Sequence, residues 1–256
     1  MSGFAGIIHL DGAPVDRALV ERMTRLTERH GGDAFNVHCE GSFGFGHSLL
    51  ASMPESSREM QPFSFDAHTW IVGDVRVDAR EELVKALKAK GREAELSQPD
   101  IELVLHAFHT WGERCVDKLL GDFAFVVWNR TERRLFCARD TFGIKPLYYS
   151  HNGNLVTVSN SIEALRAHPS ISSRLHEPAI CDYLAFGYNL DESATYFANI
   201  RRLLPSGTLS ITSGSNASHK KHARLVADRR IEYTNTAEYC EHFLGLLGDA
   251  VSDRLR

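Results

Sequence analysis

The sequence predicts an α+β fold, in which helices and antiparallel strands form separate runs instead of alternating one by one. Three stretches with apolar residues at helical spacing lie before Gly112. From Phe123 the chain changes character, and four short runs rich in aromatic and β-branched residues succeed one another with only turns between them. With 256 residues, 43% of them hydrophobic, the chain can bury a substantial core.

In chain order, residues 6–10 read as an apolar strand ended by the Asp11-Gly12 turn. Residues 15–29 read as a helix with Leu19, Met23 and Leu26 on one face, stopped by His30-Gly31-Gly32. Residues 43–51 and 69–77 read as strands, and residues 80–90 as an amphipathic helix with Leu83 and Leu87 inward and Gly91 as its stop. A further helix begins near Asp100, carries Leu103, Leu105, Phe108 and Trp111, and closes at Gly112. Residues 123–128, 135–139, 147–150 and 155–159 then form a meander, followed by a helix over 177–186 and a strand over 208–211. The small polar run 213–219 marks an exposed loop or boundary, which predicts a domain over 1–212 and a linker over 213–235. From Thr236 a helix places Cys240, Phe243, Leu244, Leu247, Val251 and Leu255 on one face. It reaches Arg256 without a capping residue, so residues 236–256 read as the start of a further, incomplete domain.

The formal charge of -4 and the lack of any basic run beyond Lys220-Lys221-His222 with Arg224 give no electrostatic basis for nucleic-acid or membrane binding. No apolar stretch approaches the roughly 18 residues of a membrane span and no signal peptide opens the chain, which predicts a cytoplasmic protein. The five cysteines are scattered and lack CxxC spacing, so buried thiols are expected in place of a disulfide framework or zinc site. The 13 histidines form no HxxxH or HExxH pair, and no metal is expected. One candidate nucleophile stands at the start. Removal of Met1 would leave the Ser2 hydroxyl beside a free α-amine, which titrates near ~8 and can accept the hydroxyl proton.

Three blocks then carry a resemblance: residues 2–6 (SGFAG), residues 121–125 (GDFAF) and residues 138–149 (ARDTFGIKPLYY). Together they resemble the glutaminase domain of glutamine-dependent asparagine synthetases, a class II amidotransferase domain of the N-terminal-nucleophile type. The resemblance implies a four-layer αββα sandwich, followed from Thr236 by the first helix of a truncated synthetase domain. That family's ATP site uses an SGGxDS phosphate loop, which is absent; Ser213-Gly214-Ser215 lacks the aspartate. No cofactor is therefore expected in this chain, while ATP and Mg2+ are implied for the missing synthetase domain.

Carried over residue by residue, the resemblance puts Ser2 where the family has its nucleophilic cysteine. The family's arginine that grips the glutamine α-carboxylate falls, reading from Gly46-His47, on Leu49. A guanidinium–carboxylate hydrogen bond contributes about 1.5–3 kcal/mol, which leucine cannot supply. The Asn-Gly oxyanion pair falls on Val72-Gly73, so the Gly73 N–H remains but the asparagine amide is lost. One such donor is worth on the order of 100- to 1000-fold in rate. Asp100 matches the carboxylate that receives the glutamine α-amine; the reading taken here, with its partners changed, is a helix N-cap.

These changes point to a vestigial glutaminase domain in an asparagine-synthetase-like ATP-dependent amide ligase. Residues 186–189 (FGYN) and 196–203 (YFANIRRL) resemble lasso-peptide macrolactam cyclases, which implies a precursor peptide as partner beside the synthetase domain. Two alternatives stand beside it: an active glutaminase using Ser2, and a free-standing module that docks on a separate synthetase through the apolar face of the last helix.

Overall fold

The computed structural model describes residues 1–30, 32–214, 217–224 and 230–255. Its strands are β1 (Gly3–His9), β2 (Ala34–Glu40), β3 (Phe43–Leu49), β4 (Thr69–Asp78), β5 (Leu120–Asn129), β6 (Arg134–Arg139), β7 (Tyr148–Asn152), β8 (Leu155–Ser159), β9 (Arg201–Arg202), β10 (Gly207–Thr212) and β11 (Ser218–Lys221). The helices are α1 (Arg17–Arg25), α2 (Arg80–Lys88), α3 (Asp100–Trp111), α4 (Ile162–Arg166), α5 (Glu177–Phe186) and α6 (Thr236–Arg254). Two antiparallel sheets result, one in the order β2-β3-β1-β8-β7-β9 and one in the order β11-β10-β6-β5-β4.

Three apolar layers cement four structural ones. Ala5 and Ile7 of β1 meet Val20 and Met23 of α1 and Leu165 of α4. Between the sheets lie Phe4, Phe45, Val126 and Trp128, and beyond the second sheet Phe123 and Phe125 meet Leu83 and Leu87 of α2 and Leu103 of α3. Strand β5 shows how the sequence encodes this. Its odd positions 123, 125 and 127 face the helices, its even positions 124, 126 and 128 face the other sheet, and all six are apolar because both faces are covered. The predicted αββα sandwich is therefore the observed one.

Several sequence expectations need correction. Residues 123–159 are not one meander: β5 and β6 belong to one sheet, β7 and β8 to the other. The crossing is made by residues 140–147 and held from within. The Asp140 carboxylate accepts from the N–H groups of Phe142, Ile144 and Lys145 at 3.1, 2.9 and 2.9 Å. Arg139 donates to the carbonyls of Lys145 and Leu203, both at 2.7 Å. Gly143 turns the loop at φ +68, and Gly121 in β5 sits where a Cβ would come within 2.1 Å of the Arg76 carbonyl oxygen, so both positions exclude larger residues.

Helix α1 is shorter than expected and buries Val20, Met23 and Thr24, leaving Leu26 exposed; Asp16 caps it by accepting from the Ala18 N–H. Gly31 of the expected stop lies outside the described residues. Strand β2 and helix α4 were not anticipated. Within 213–219, residues 215 and 216 lie outside the described residues, but Ser218 and His219 open β11, an edge strand carrying Lys220 and Lys221. Exposed lysines on an edge discourage further strand pairing. Among the cysteines only Cys115 and Cys137 are buried, with burial raising both thiol pKa values, while Cys181 and Cys240 are exposed. No described helix is long and apolar enough to cross a membrane.

Candidate functional site

Ser2 enters β1 nearly buried. Its hydroxyl oxygen accepts from the Leu50 N–H at 3.0 Å, and its carbonyl accepts from Asn160 Nδ2 at 2.8 Å. Asn160 Oδ1 also accepts from the Phe4 N–H at 3.1 Å, so one side chain fixes the start of the strand. The hydroxyl's partner is thus a backbone amide, not a basic side chain. Leu49 closes β3 with its side chain buried, and the position implied for a carboxylate clamp is an apolar wall.

Across the sandwich, Val72 is fully buried in the core between the sheets. Its neighbour Gly73 is engaged on both backbone groups by Gln61: the Gly73 N–H donates to Gln61 Oε1 at 2.8 Å, and Gln61 Nε2 donates to the Gly73 carbonyl at 3.1 Å. The segment around Gln61 runs along the free edge of β4, where Phe63 and Ile71 exchange backbone hydrogen bonds. The backbone donor that the resemblance assigns to an oxyanion hole is therefore already satisfied by the chain itself. His47, paired with Phe4 across β1 and β3, faces the Gly73 backbone. Burial pushes its pKa down to about 3 against the opposing pull of that backbone, so the imidazole is neutral.

Asp100 is not the helix cap. Pro99 holds the cap position, and Asp100 is the first residue of α3. One carboxylate oxygen accepts from the Val77 N–H at 3.0 Å. The other accepts from Arg80 Nη1, while Arg80 Nη2 donates to the carbonyls of Leu96 and Gln98, both at 2.6 Å. The two side chains are only 7% and 2% exposed. A buried carboxylate must be paired, and here the pairing cation is the chain's own guanidinium. Beside it, Asp74 pairs with Lys145 of the crossing loop at 2.9 Å.

Glu59 completes the cluster, accepting from Gln61 Nε2 at 2.6 Å. Burial raises its pKa from 4.5 to about 7; the Gln61 hydrogen bond opposes this, and the Asp100, Asp74 and Glu102 carboxylates add to it. Between these two values the folded chain holds a proton that the unfolded chain has released, so stability falls as pH rises from about 4.5 to 7. Urea midpoints across this range are expected to fall less steeply in Glu59→Gln than in the wild type; identical slopes would contradict the assignment.

Of the residues singled out in the sequence, Ser2 lies just before β1 and Leu49 at the end of β3 in the six-stranded sheet, Val72 and Gly73 on the five-stranded sheet, and Asp100 at the start of α3. Arg80, Gln61 and Glu59 were missed. Arg80 and Asp100 are 20 positions apart, too far for any helical or strand periodicity to link them. The described residues contain no group of three or more His, Cys, Asp or Glu that could hold a metal ion.

The fold is a pair of stacked antiparallel sheets between helices, with Ser2 buried at the start of β1 and Met1 exposed. It is shared with the glutamine phosphoribosylpyrophosphate amidotransferase of B. subtilis solved with ADP and GMP, at a TM-score of 0.62 and 15% identity over 88% of this chain and 50% of that one. The chain belongs to the glutamine amidotransferase domain family, which it matches over residues 1–222. Within that family it is asparagine-synthetase-like. It is 31% identical to asparagine synthetase [glutamine-hydrolyzing] 3 of Bacillus subtilis over 77% of this chain and 32% of the relative, and 27% identical to asparagine synthetase [glutamine-hydrolyzing] 1 of the same organism over 87% and 35%. The chain thus spans about a third of the length of these relatives.

Proposed function

We propose that this domain no longer hydrolyses glutamine and serves as a scaffold within an asparagine-synthetase-like amide-bond-forming ligase. The observation that carries the reading is the occupation of Asp100 by Arg80. An incoming α-ammonium would have to displace a guanidinium held by one carboxylate and two backbone carbonyls. Three further features support it: the apolar wall at Leu49, the core side chain at Val72, and a Ser2 hydroxyl bonded to a backbone amide. A hydroxyl is also a weaker nucleophile than a thiolate at neutral pH.

A ligase that activates a carboxylate and joins it to an amine already present on the same substrate needs no ammonia. Such a reaction tolerates the loss of a glutaminase. The resemblance of residues 186–189 and 196–203 to lasso-peptide cyclases supports a peptide macrolactam as product and a precursor peptide as partner. ATP and Mg2+ would serve a synthetase part not contained in residues 1–256. The test is a coupled assay for glutamate released from glutamine by the wild type and by Ser2→Cys. Neither protein is expected to turn over above buffer; turnover by the wild type would restore a serine glutaminase, and turnover by Ser2→Cys alone would show a pocket that lacks only its thiol.

A further inference from the structure

Helix α6 keeps none of its residues buried, and Phe243, Leu244 and Leu247 stand 63, 62 and 46% exposed. Apolar packing therefore does not hold this helix on the sandwich. Its last turn does reach the domain. Arg254 Nη1 and Nη2 donate to the two oxygens of Asp122 at 2.6 and 3.1 Å, and Arg254 Nε pairs with Asp78 at 2.9 Å. Arg76 adds a hydrogen bond to the Asp253 carbonyl at 3.3 Å and another to Asp78. Asp78 and Asp122 lie on the adjacent strands β4 and β5, at the end of the ladder next to α2, and their side chains are only 6 and 15% exposed.

We propose that Asp78 and Asp122 form a socket for a guanidinium, and that this socket is the means by which the segment beginning at Thr236 is held on the domain. Planar bidentate pairing suits arginine and not lysine, and the largely buried acids give it a fixed seat. The hold is made of charge, so it weakens with salt: screening shortens from about 10 Å at 0.1 M to about 3 Å at 1 M. It also has a structural consequence beside the Arg80–Asp100 pair. Ser252 and Asp253 wall one side of a cavity of about 380 Å³ whose other side includes Val77, Ala79, Arg80 and Leu96, so release of Arg254 opens that cavity. The position of α6 is thereby tied to the surroundings of the remnant site without any contact from its apolar face. This inference stands whether or not the domain hydrolyses glutamine.

Hydrogen–deuterium exchange across residues 236–254 of the full chain tests it, because a helix of 19 residues without tertiary support is marginal in water and exchanges quickly. At low ionic strength Arg254→Gln and Asp122→Asn are each expected to speed exchange in α6 by about three- to tenfold, with β4 and β5 unchanged. Arg254→Lys is expected to recover only part of the protection, and the double variant to exchange no faster than either single one. Raising salt to about 1 M should move the wild type part of the way toward the variants, because a contact pair with largely buried acids is screened less than an exposed one. Exchange in Arg254→Gln equal to wild type, or effects that multiply in the double variant, would overturn the proposal. Arg254 lies on an exposed helix end, so its variant decides the matter even if Asp122→Asn folds poorly.

Discussion

Arg80→Ala is expected to lower the unfolding free energy by about 3–5 kcal/mol, because it leaves the buried Asp100 carboxylate without its cation and strips the Leu96 and Gln98 carbonyls of their donor. Urea denaturation at neutral pH measures it, through a fall in midpoint with the slope preserved. The cost belongs to the broken pair more than to the pair itself. Replacing both partners by apolar groups of similar volume, as in Arg80→Met with Asp100→Leu, should recover the part of the loss due to the uncompensated charge, but not the part due to the Leu96 and Gln98 carbonyls. A single Arg80→Ala cost below about 1 kcal/mol would mean that water reaches Asp100 freely, and the occupied-site argument would lose its footing. On the proposed reading, Arg80→Ala alone does not restore glutamine hydrolysis, since Leu49 and Val72 still lack the polar groups the reaction needs.

Asp140→Ala carries the second large effect, about 2–4 kcal/mol, because one carboxylate accepts from three N–H groups of the loop that carries the chain from one sheet to the other. Asp140 is 1% exposed, whereas Phe142 and Ile144 are 68 and 56% exposed, so water can reach part of the freed loop and limit the cost. Asp140→Asn keeps one acceptor oxygen and is expected to fall between. Thermal unfolding gives the magnitude. Loss of amide protection confined to residues 142–145 would show that the damage is local to the crossing. A variant as stable as wild type would show that Arg139, through the Gly143, Lys145 and Leu203 carbonyls, and the Lys145–Asp74 pair suffice to hold the loop.

The same loop shows what a sequence read along one chain conveys and what it does not. The elements around it were legible because their apolar patterns are strong: β5 is a continuous apolar run covered on both faces, and α3 carries Ile101, Val104 and Leu105 at helical intervals. The switch between sheets was not, because the bonds that separate β6 from β7 reach to Leu203, 64 residues away from Arg139, and no local spacing links those positions. Strand β2 was missed for a related reason: its residues are only partly buried, so its alternation is blurred. Strand β11 has no apolar residue at all and is defined by backbone pairing to β10.

At the site, the resemblance singles out Ser2, Leu49 and Val72, and the structure adds their surroundings: a backbone donor, an apolar wall and the inter-sheet core. The occupants of Gly73 and Asp100 could not be read. Gln61 and Arg80 lie in separate segments, and only the fold brings the Gln61 amide to the edge of β4 and the Arg80 guanidinium under α3. The last helix was foreseen in extent and in its apolar face. That face is exposed, and the helix is tied down through Arg254 instead.

The central claim is that the chain's own groups fill the places where glutamine would bind. Isothermal titration of Ser2→Cys with glutamine tests it most directly, because the thiol removes the nucleophile as an explanation for inactivity and binding is read without turnover. No saturable heat is expected up to millimolar glutamine. A saturable binding isotherm, abolished by Asp100→Asn, would contradict it and show that Arg80 yields Asp100 to the ligand.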